Sequence, residues 1–317
     1  MASVRAGVIG VGHLGYHHAR HYAAMPDAKL VGVVDTDSEK AAKAARDFNT
    51  RAYPDVAALI AEGVEAVSVA TPTTTHFETA MQLIEAGVHV LVEKPLTATV
   101  PEAERLAASA ARRGVTLQVG HIERFNGAVM AVFAHFREPK FIECHRLSPF
   151  PMRGTDVSVV LDLMIHDLDI VLAMDDSEVL SLDAVGVPVF SQSEDIANAR
   201  LRFASGCVAN LTSSRVSVDR MRKIRIFAEN AYVSTDYSAQ EVLVYRKKPG
   251  PLPPDANPME YITIEPLPVL KDEPLKLELE AFIACVREAG RPVVSGEDGL
   301  RAMRLAQQVM DFIREHS

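Results

Sequence analysis

Gly10-Val11-Gly12-His13-Leu14-Gly15 follows a short apolar run, Ala6 to Ile9, and opens a helical stretch, Leu14 to Ala24. Gly-x-Gly-x-x-Gly is a weak signal alone. Between a strand and a helix it marks a turn that holds a pyrophosphate. Gly10 permits the tight turn, Gly12 lets the backbone approach the phosphates, and Gly15 lets helix and strand pack closely. The free N–H groups and partial positive charge of the helix N-terminus complete an anion site. His13 and Leu14 lie inside this loop and are read as cofactor-lining. A glycine turn without a ligand is the alternative.

The next apolar run, Leu30-Val31-Gly32-Val33-Val34, ends at Asp35. A carboxylate there accepts from both adenosine ribose hydroxyls and repels a 2′-phosphate, which favours NAD over NADP. Further runs, Ala66 to Ala70, Val88 to Val92 and Val115 to Val119, alternate with helical stretches at Ser38–Phe48, Val56–Ala61, Phe77–Ala86 and Pro101–Arg113. Continuous apolar strands separated by helices predict a parallel sheet covered on both faces, a doubly wound α/β (Rossmann) domain over residues 1–120.

After Gly120 the pattern changes. Phe141–Leu147, Val179–Val187, Ile196–Phe203, Cys207–Ser213, Lys223–Ala228 and Val242–Arg246 read as successive strands, with a further one near Tyr261–Ile264. One helix, Val159 to Ala173, interrupts the series, and two more, Leu275–Ala289 and Leu300–Glu315, close it. Residues 121–317 are therefore expected to form an α+β domain with an open, mostly antiparallel sheet.

Composition sets outer limits. A chain of 317 residues supports two ordinary domains. A formal charge of −9 argues against nucleic acid or an anionic membrane as partner. There is no apolar run of about 20 residues, as a membrane span needs, and the N-terminus does not read as a signal peptide. Cys144, Cys207 and Cys285 are widely spaced without a Cys-x-x-Cys, so reduced thiols and a cytoplasmic location are expected.

Two places carry candidate chemistry. At carboxyl ends of parallel strands, where open α/β sheets bind ligands, stand Thr71-Pro72-Thr73-Thr74-Thr75-His76 and Glu93-Lys94-Pro95. A lysine desolvated near a cofactor can position or protonate an oxygen; a surface Glu–Lys pair is the alternative. Pro95 implies a fixed bend, cis or trans. Asp162-Leu163-Met164-Ile165-His166 lies on the interrupting helix. A spacing of four puts both polar side chains on one face, roughly 6 Å apart along the axis. Among apolar neighbours such a pair must be satisfied or used, as a structural contact or as a general base oriented by its acid. His17, His18 and His21 are read as a solvated helix face rather than a metal site, since no carboxylate or cysteine completes the set. No metal is expected.

The glycine loop, Ala70-Thr71-Pro72-x-x-x-His76, Glu93-Lys94-Pro95 and Asp162-x-x-x-His166-x-x-Asp169 occur in this order. As a set they resemble the glucose–fructose oxidoreductase / inositol dehydrogenase family (Gfo/Idh/MocA), over essentially the whole chain. The resemblance implies a homodimer or homotetramer assembled on the outer face of the second sheet. It also implies Lys94 and His166 as the catalytic pair with Asp162 beside them, and a cofactor held by Gly10, Gly12, His13, Leu14, Gly15, Asp35, Thr71, Pro72, Thr73, His76, Glu93 and Lys94. Gly120-His121-Ile122-Glu123-Arg124-Phe125-Asn126 and the stretch Val160 to Asp169 resemble the branch acting on UDP-N-acetylhexosamines. That implies oxidation at C3 of UDP-N-acetylglucosamine or a similar nucleotide sugar. Arg124 and Arg153 fit its pattern as phosphate ligands, joining Lys94, Asp162 and His166 on the substrate, and Arg146 is a further candidate. A dehydrogenase of inositol or a free sugar is the rival activity. An NAD-binding sensor or scaffold is the rival from outside the enzymes.

Overall fold

The computed structural model describes residues 3–150, 157–251, 254–255 and 257–316. The chain divides into two compact units: Met1–Ile122 with Glu273–Met303, and Glu123–Asp272 with Arg304–Ser317.

The first unit runs β1 (Val4–Ile9), α1 (His13–Ala24), β2 (Ala28–Val34), α2 (Ser38–Asp47), β3 (Ala52–Tyr53), α3 (Val56–Ala61), β4 (Ala66–Val69), α4 (His76–Glu85), β5 (His89–Glu93), α5 (Val100–Arg113) and β6 (Leu117–Gly120). Its six strands lie in the order β3-β2-β1-β4-β5-β6, every pair parallel. The order reverses beside β1, so the ends of β1, β2 and β4 form the crevice where such sheets take ligands. The helices are locally well specified. Asp37 caps α2 by accepting from the N–H groups of Glu39 and Lys40, and Thr99 and Glu102 form a capping box on α5.

The second unit begins with α6 (Gly127–His135) and β7 (Phe141–Leu147). A π-helical turn, Val160–Met164, leads into α7 (Ile165–Met174). There follow β8 (Val179–Val187), β9 (Ile196–Phe203), β10 (Val208–Ser214), β11 (Met221–Ala228), β12 (Ala231–Asp236), β13 (Glu241–Lys247) and β14 (Ile262–Pro266). These eight strands lie in the order β14-β13-β12-β11-β7-β10-β9-β8. All neighbours are antiparallel except β7 and β10. Alternation along β7 and β9 buries Ile142, Cys144, Ala197, Ala199 and Leu201 on one face and leaves the other partly exposed.

Two helices close the chain, α8 (Pro274–Glu288) and α9 (Gly296–Glu315). The first division falls at Ile122/Glu123, close to the expected residue 120, but residues 273–303, expected in the second domain, return to the first unit. Leu275, Leu279, Phe282 and Ile283 of α8 join Val4, Ala6, Tyr22 and Val33 in one core. That apolar face needs a partner, and β1 with α1 supplies it. No described helix is long and apolar enough to cross a membrane.

Candidate active site

In the cofactor half, Gly10 adopts φ +82°, and a Cβ there would meet the Ala70 carbonyl oxygen at 2.7 Å. A Cβ on Gly15 would lie 1.8 Å from the Gly10 oxygen, so helix and turn approach as only glycine allows. A Cβ on Gly12 would meet nothing within 4 Å. The turn is therefore tight on its inner side and open above Gly12. His13 and Leu14 open α1, whose first turn has no side-chain cap and no acid. Its orphan N–H groups and dipole suit a pyrophosphate.

Asp35 follows β2. Its Oδ2 accepts from the Val11 N–H at 2.8 Å and its Oδ1 from the Asp37 N–H at 2.8 Å. The carboxylate thus braces the glycine loop and faces a cavity of about 690 Å³ lined by Gly10, Gly12, Asp35, Thr36, Thr71 and Pro72 among others. Glycine turn, uncapped helix and carboxylate fit the adenosine and pyrophosphate of a dinucleotide. A second negative charge beside Asp35 costs several kcal/mol. Turnover with NAD is therefore expected to exceed that with NADP by about a hundredfold in kcat/KM, and Asp35→Ser should narrow the gap. Steady-state rates with the two cofactors check this, and a preference for NADP would overturn the reading of Asp35.

The loop after β4 is held from within. Thr75 Oγ1 donates to the Pro72 carbonyl and can accept from the Thr71 hydroxyl, both at 2.8 Å, and Thr73–Thr75 forms a 3-10 turn. His76 is almost fully buried, and its two ring nitrogens lie 2.9 Å from the carbonyl oxygens of Thr71 and Pro95. This differs from its expected place among the cofactor contacts: the buried ring sits between the loops after β4 and β5, and its N–H donates to one of these two carbonyls. Lys94, half-buried, stands at the end of β5 before a cis bond to Pro95.

Glu93 also differs from expectation. It is buried, and its Oε1 accepts from His18 Nε2 at 2.9 Å while its Oε2 accepts from the Lys94 N–H at 3.3 Å. It braces Lys94 from behind rather than facing open space. His18, read as part of a solvated face, is fully buried. His21 pairs with Glu273 at 3.0 Å, an acid far along the chain. Among the described residues no group of three or more His, Cys, Asp and Glu is placed to hold a metal.

In the second unit, Asp162 lies in the π-helical turn and His166 in the first turn of α7, both half-buried. The two are not on one regular α-helix, as the spacing alone predicts. The wider turn, closed by i→i+5 bonds, re-aims the side chains it carries, and such turns collect at functional sites. The acids that flank His166 are fully engaged. Asp167 accepts from Arg146 Nε at 2.9 Å and Nη2 at 2.8 Å, and Arg146 Nη1 donates to Glu123 at 2.7 Å. Burial opposes the Arg146 charge, but Asp167 and Glu123 more than offset it, holding its pKa well above the ordinary arginine value. Asp169 accepts from Arg124 Nε at 2.7 Å and from its Nη2 at 3.4 Å.

Two arginines expected to face phosphate therefore clamp α7 instead. Arg146 is buried in an ion-pair network, and Arg124 is bound by Asp169. Arg153 lies outside the described residues. Glu123 was not singled out from sequence, although it sits inside Gly120-His121-Ile122-Glu123-Arg124-Phe125-Asn126.

Sequence profiles of known families match both halves. One, described as an oxidoreductase family with an NAD-binding Rossmann fold, matches residues 4–121. Another, the GFO/IDH/MocA C-terminal domain, matches residues 124–234. The chain belongs to the GFO/IDH/MocA oxidoreductase family. The UDP-N-acetylglucosamine 3-dehydrogenase of Acidithiobacillus ferrooxidans is 40% identical, over 98% of this chain and 97% of that one. A solved structure of the enzyme of that name superposes with a TM-score of 0.92, at 38% identity and 99% coverage of both chains. The scyllo-inositol 2-dehydrogenase (NAD(+)) of Bacillus subtilis is 27% identical over 93% of this chain and 90% of its own. This member of the GFO/IDH/MocA family is a dehydrogenase, and NAD is its cofactor.

Proposed function

We propose that this dehydrogenase oxidises a hydroxyl of a nucleotide sugar to a ketone, with C3 of UDP-N-acetylglucosamine as the favoured position. The observation that carries the reading is 40% identity along nearly the whole chain to an enzyme named for that reaction, against 27% to an inositol dehydrogenase. His166 takes the hydroxyl proton. Lys94 hydrogen-bonds the reacting oxygen or its neighbour, and Asp162 orients His166 and favours its charged form. NAD, when bound, supplies the acceptor for the hydride that leaves the same carbon. Arg153 takes a phosphate of the nucleotide. Arg124 contributes indirectly, by holding Asp169 and so α7.

The reaction is placed in the cytoplasm, in keeping with three buried, unpaired cysteines. A homodimer or homotetramer through the partly exposed face of the second sheet fits the ring contacts Phe141–Phe227, Phe227–Tyr232 and Tyr232–Tyr245 that cross it, at 5.6, 4.8 and 4.9 Å between centroids.

The deciding experiment is mass spectrometry of the product after incubation with NAD and UDP-N-acetylglucosamine. The expected species has lost two hydrogens from the sugar, with NADH formed in equal amount. Oxidation of inositol with the nucleotide sugar left intact would move the assignment to the rival activity. A thermal-shift series with UDP alone reports on the same choice, because a nucleotide-sugar site is stabilised by the nucleotide and an inositol site is not.

A further inference from the structure

Behind Lys94 lies a second polar cluster, wholly inside the first unit, which the proposed chemistry does not use. Glu278 of α8 is fully buried, and neither of its carboxyl oxygens has a hydrogen-bond partner among the described residues. Gln118 of β6 bonds its backbone, and Glu93 of β5 and Tyr22 of α1 lie close enough to interact electrostatically with its carboxyl group, with His18 of α1 and Ser68 of β4 bonded to those two in turn. Tyr22 and Ser68 satisfy each other at 2.7 Å, and Gln118 Nε2 donates to the Glu278 backbone carbonyl at 3.2 Å. His18 Nδ1 and Gln118 Oε1 are, like the Glu278 oxygens, buried without partners. Buried polar atoms are normally satisfied, and a water enclosed among these groups would satisfy them.

A carboxylate at Glu278 would be fully desolvated and would face Glu93, a second acid. No described cation pairs with it, and the acids and imidazoles here are not grouped to hold a metal. A proton is the remaining way to neutralise it. Burial, with Glu93 adding to it, pushes the Glu278 pKa well above the ordinary glutamate value. A carboxylic acid is also a donor, which a carboxylate is not. Glu93 already accepts from His18 and from the Lys94 N–H and has lone pairs to spare.

We propose that Glu278 is a positioning residue for the reaction: in its acid form it donates through an enclosed water to Glu93, fixing the carboxylate that holds the backbone of Lys94. This rests on the reading of Lys94 as a substrate-contacting residue. The proton stays on Glu278 throughout and is not exchanged with the substrate.

The test uses the full-length enzyme with NAD, comparing wild type with Glu278→Gln and Glu278→Leu. Glu278→Leu has no donor and should lose about tenfold in kcat, with NADH affinity unchanged, while Glu278→Gln keeps an N–H donor and should recover most of that loss. The acid limb of the kcat profile should move to higher pH in Glu278→Leu and not in Glu278→Gln, which a purely structural defect would not produce. Infrared spectroscopy at neutral pH should show a carboxylic acid band in wild type that Glu278→Gln lacks. Below the ordinary glutamate range both folded and unfolded chains hold this proton. Above it the unfolded wild type releases a proton that the folded state retains, so wild type loses stability as pH rises. The Tm advantage of Glu278→Gln should grow accordingly.

Absence of the infrared band, or a Glu278→Leu enzyme with wild-type kcat and pH profile, overturns the proposal. If Glu278→Leu does not fold, the band and the Tm series still decide. Wild type inert toward UDP-N-acetylglucosamine would refute the substrate reading instead, and the band would still report on Glu278.

Discussion

His166→Ala should lower kcat by roughly 10²–10⁴-fold, the contribution of a positioned general base, while NADH binds as to wild type. The chain has no tryptophan, so the emission of NADH itself reports binding without a competing signal. Because a base is needed only as the hydroxyl proton leaves, the loss should fall on kcat and on kcat/KM alike. Residual activity should climb with pH, since solvent must then take the proton. Asp162→Asn should show a smaller loss in the same direction, because it weakens the charged form of His166 without removing the ring. Near-normal turnover in His166→Ala would sink the assignment. A variant that had also lost NADH would point to a folding defect.

How much of this was legible in the sequence follows from how local each feature is. The cofactor half was readable because its chemistry is written in contiguous stretches: a glycine turn between strand and helix, and an acid at the end of the next strand. Gly10 and Gly15 make the close approaches the turn demands, and Asp35 follows β2 where the sequence puts it, with the Val11 and Asp37 N–H groups as its partners. Helix α6 escaped notice because Ala128, Val129, Ala131 and Val132 are all buried, leaving no polar stripe to mark a helical period. Strand β12 escaped because it turns back through Glu229-Asn230, with Asn230 at φ +63°, where a glycine would have announced the hairpin.

The larger misreadings concern polar residues whose partners lie far along the chain. His18 looked like one of three solvated histidines until β5 brought Glu93 against it. Glu278 carries no signal in its own stretch of sequence, and only the packing of α8 into the core of the first unit buries it. Arg124 and Arg146 carry the right group for phosphate, and nothing in their own neighbourhoods says that a carboxylate reaches them first. A guanidinium has the same fork geometry for both. Residue type states what a side chain can bind, and only tertiary structure states which partner arrives.

The Arg146 network gives the largest expected effect on stability. Arg146, Asp167 and Glu123 are all buried, and each depends on the others for its charge to be tolerable. Arg146→Met leaves the carboxylates of Asp167 and Glu123 without their shared partner, and Arg222, 3.7 Å from Glu123, is a more exposed cation. Breaking a buried pair by removing one partner costs about 3–5 kcal/mol. For a chain of this size that corresponds to a fall in Tm of roughly 10 °C, measurable by calorimetry or circular dichroism. The loss should come from unpaired charge and not from lost packing, and a second substitution separates the two. Arg146→Met with Asp167→Leu and Glu123→Met removes all three charges, and apolar replacement of a whole buried ion network is often neutral. The triple variant should therefore regain most of the lost Tm. Its turnover need not return, because Asp167 precedes Leu168 on the turn that carries His166, and freeing it loosens α7 where the proposed base sits. A triple variant no more stable than Arg146→Met would show that shape, and not charge balance, holds this helix in place.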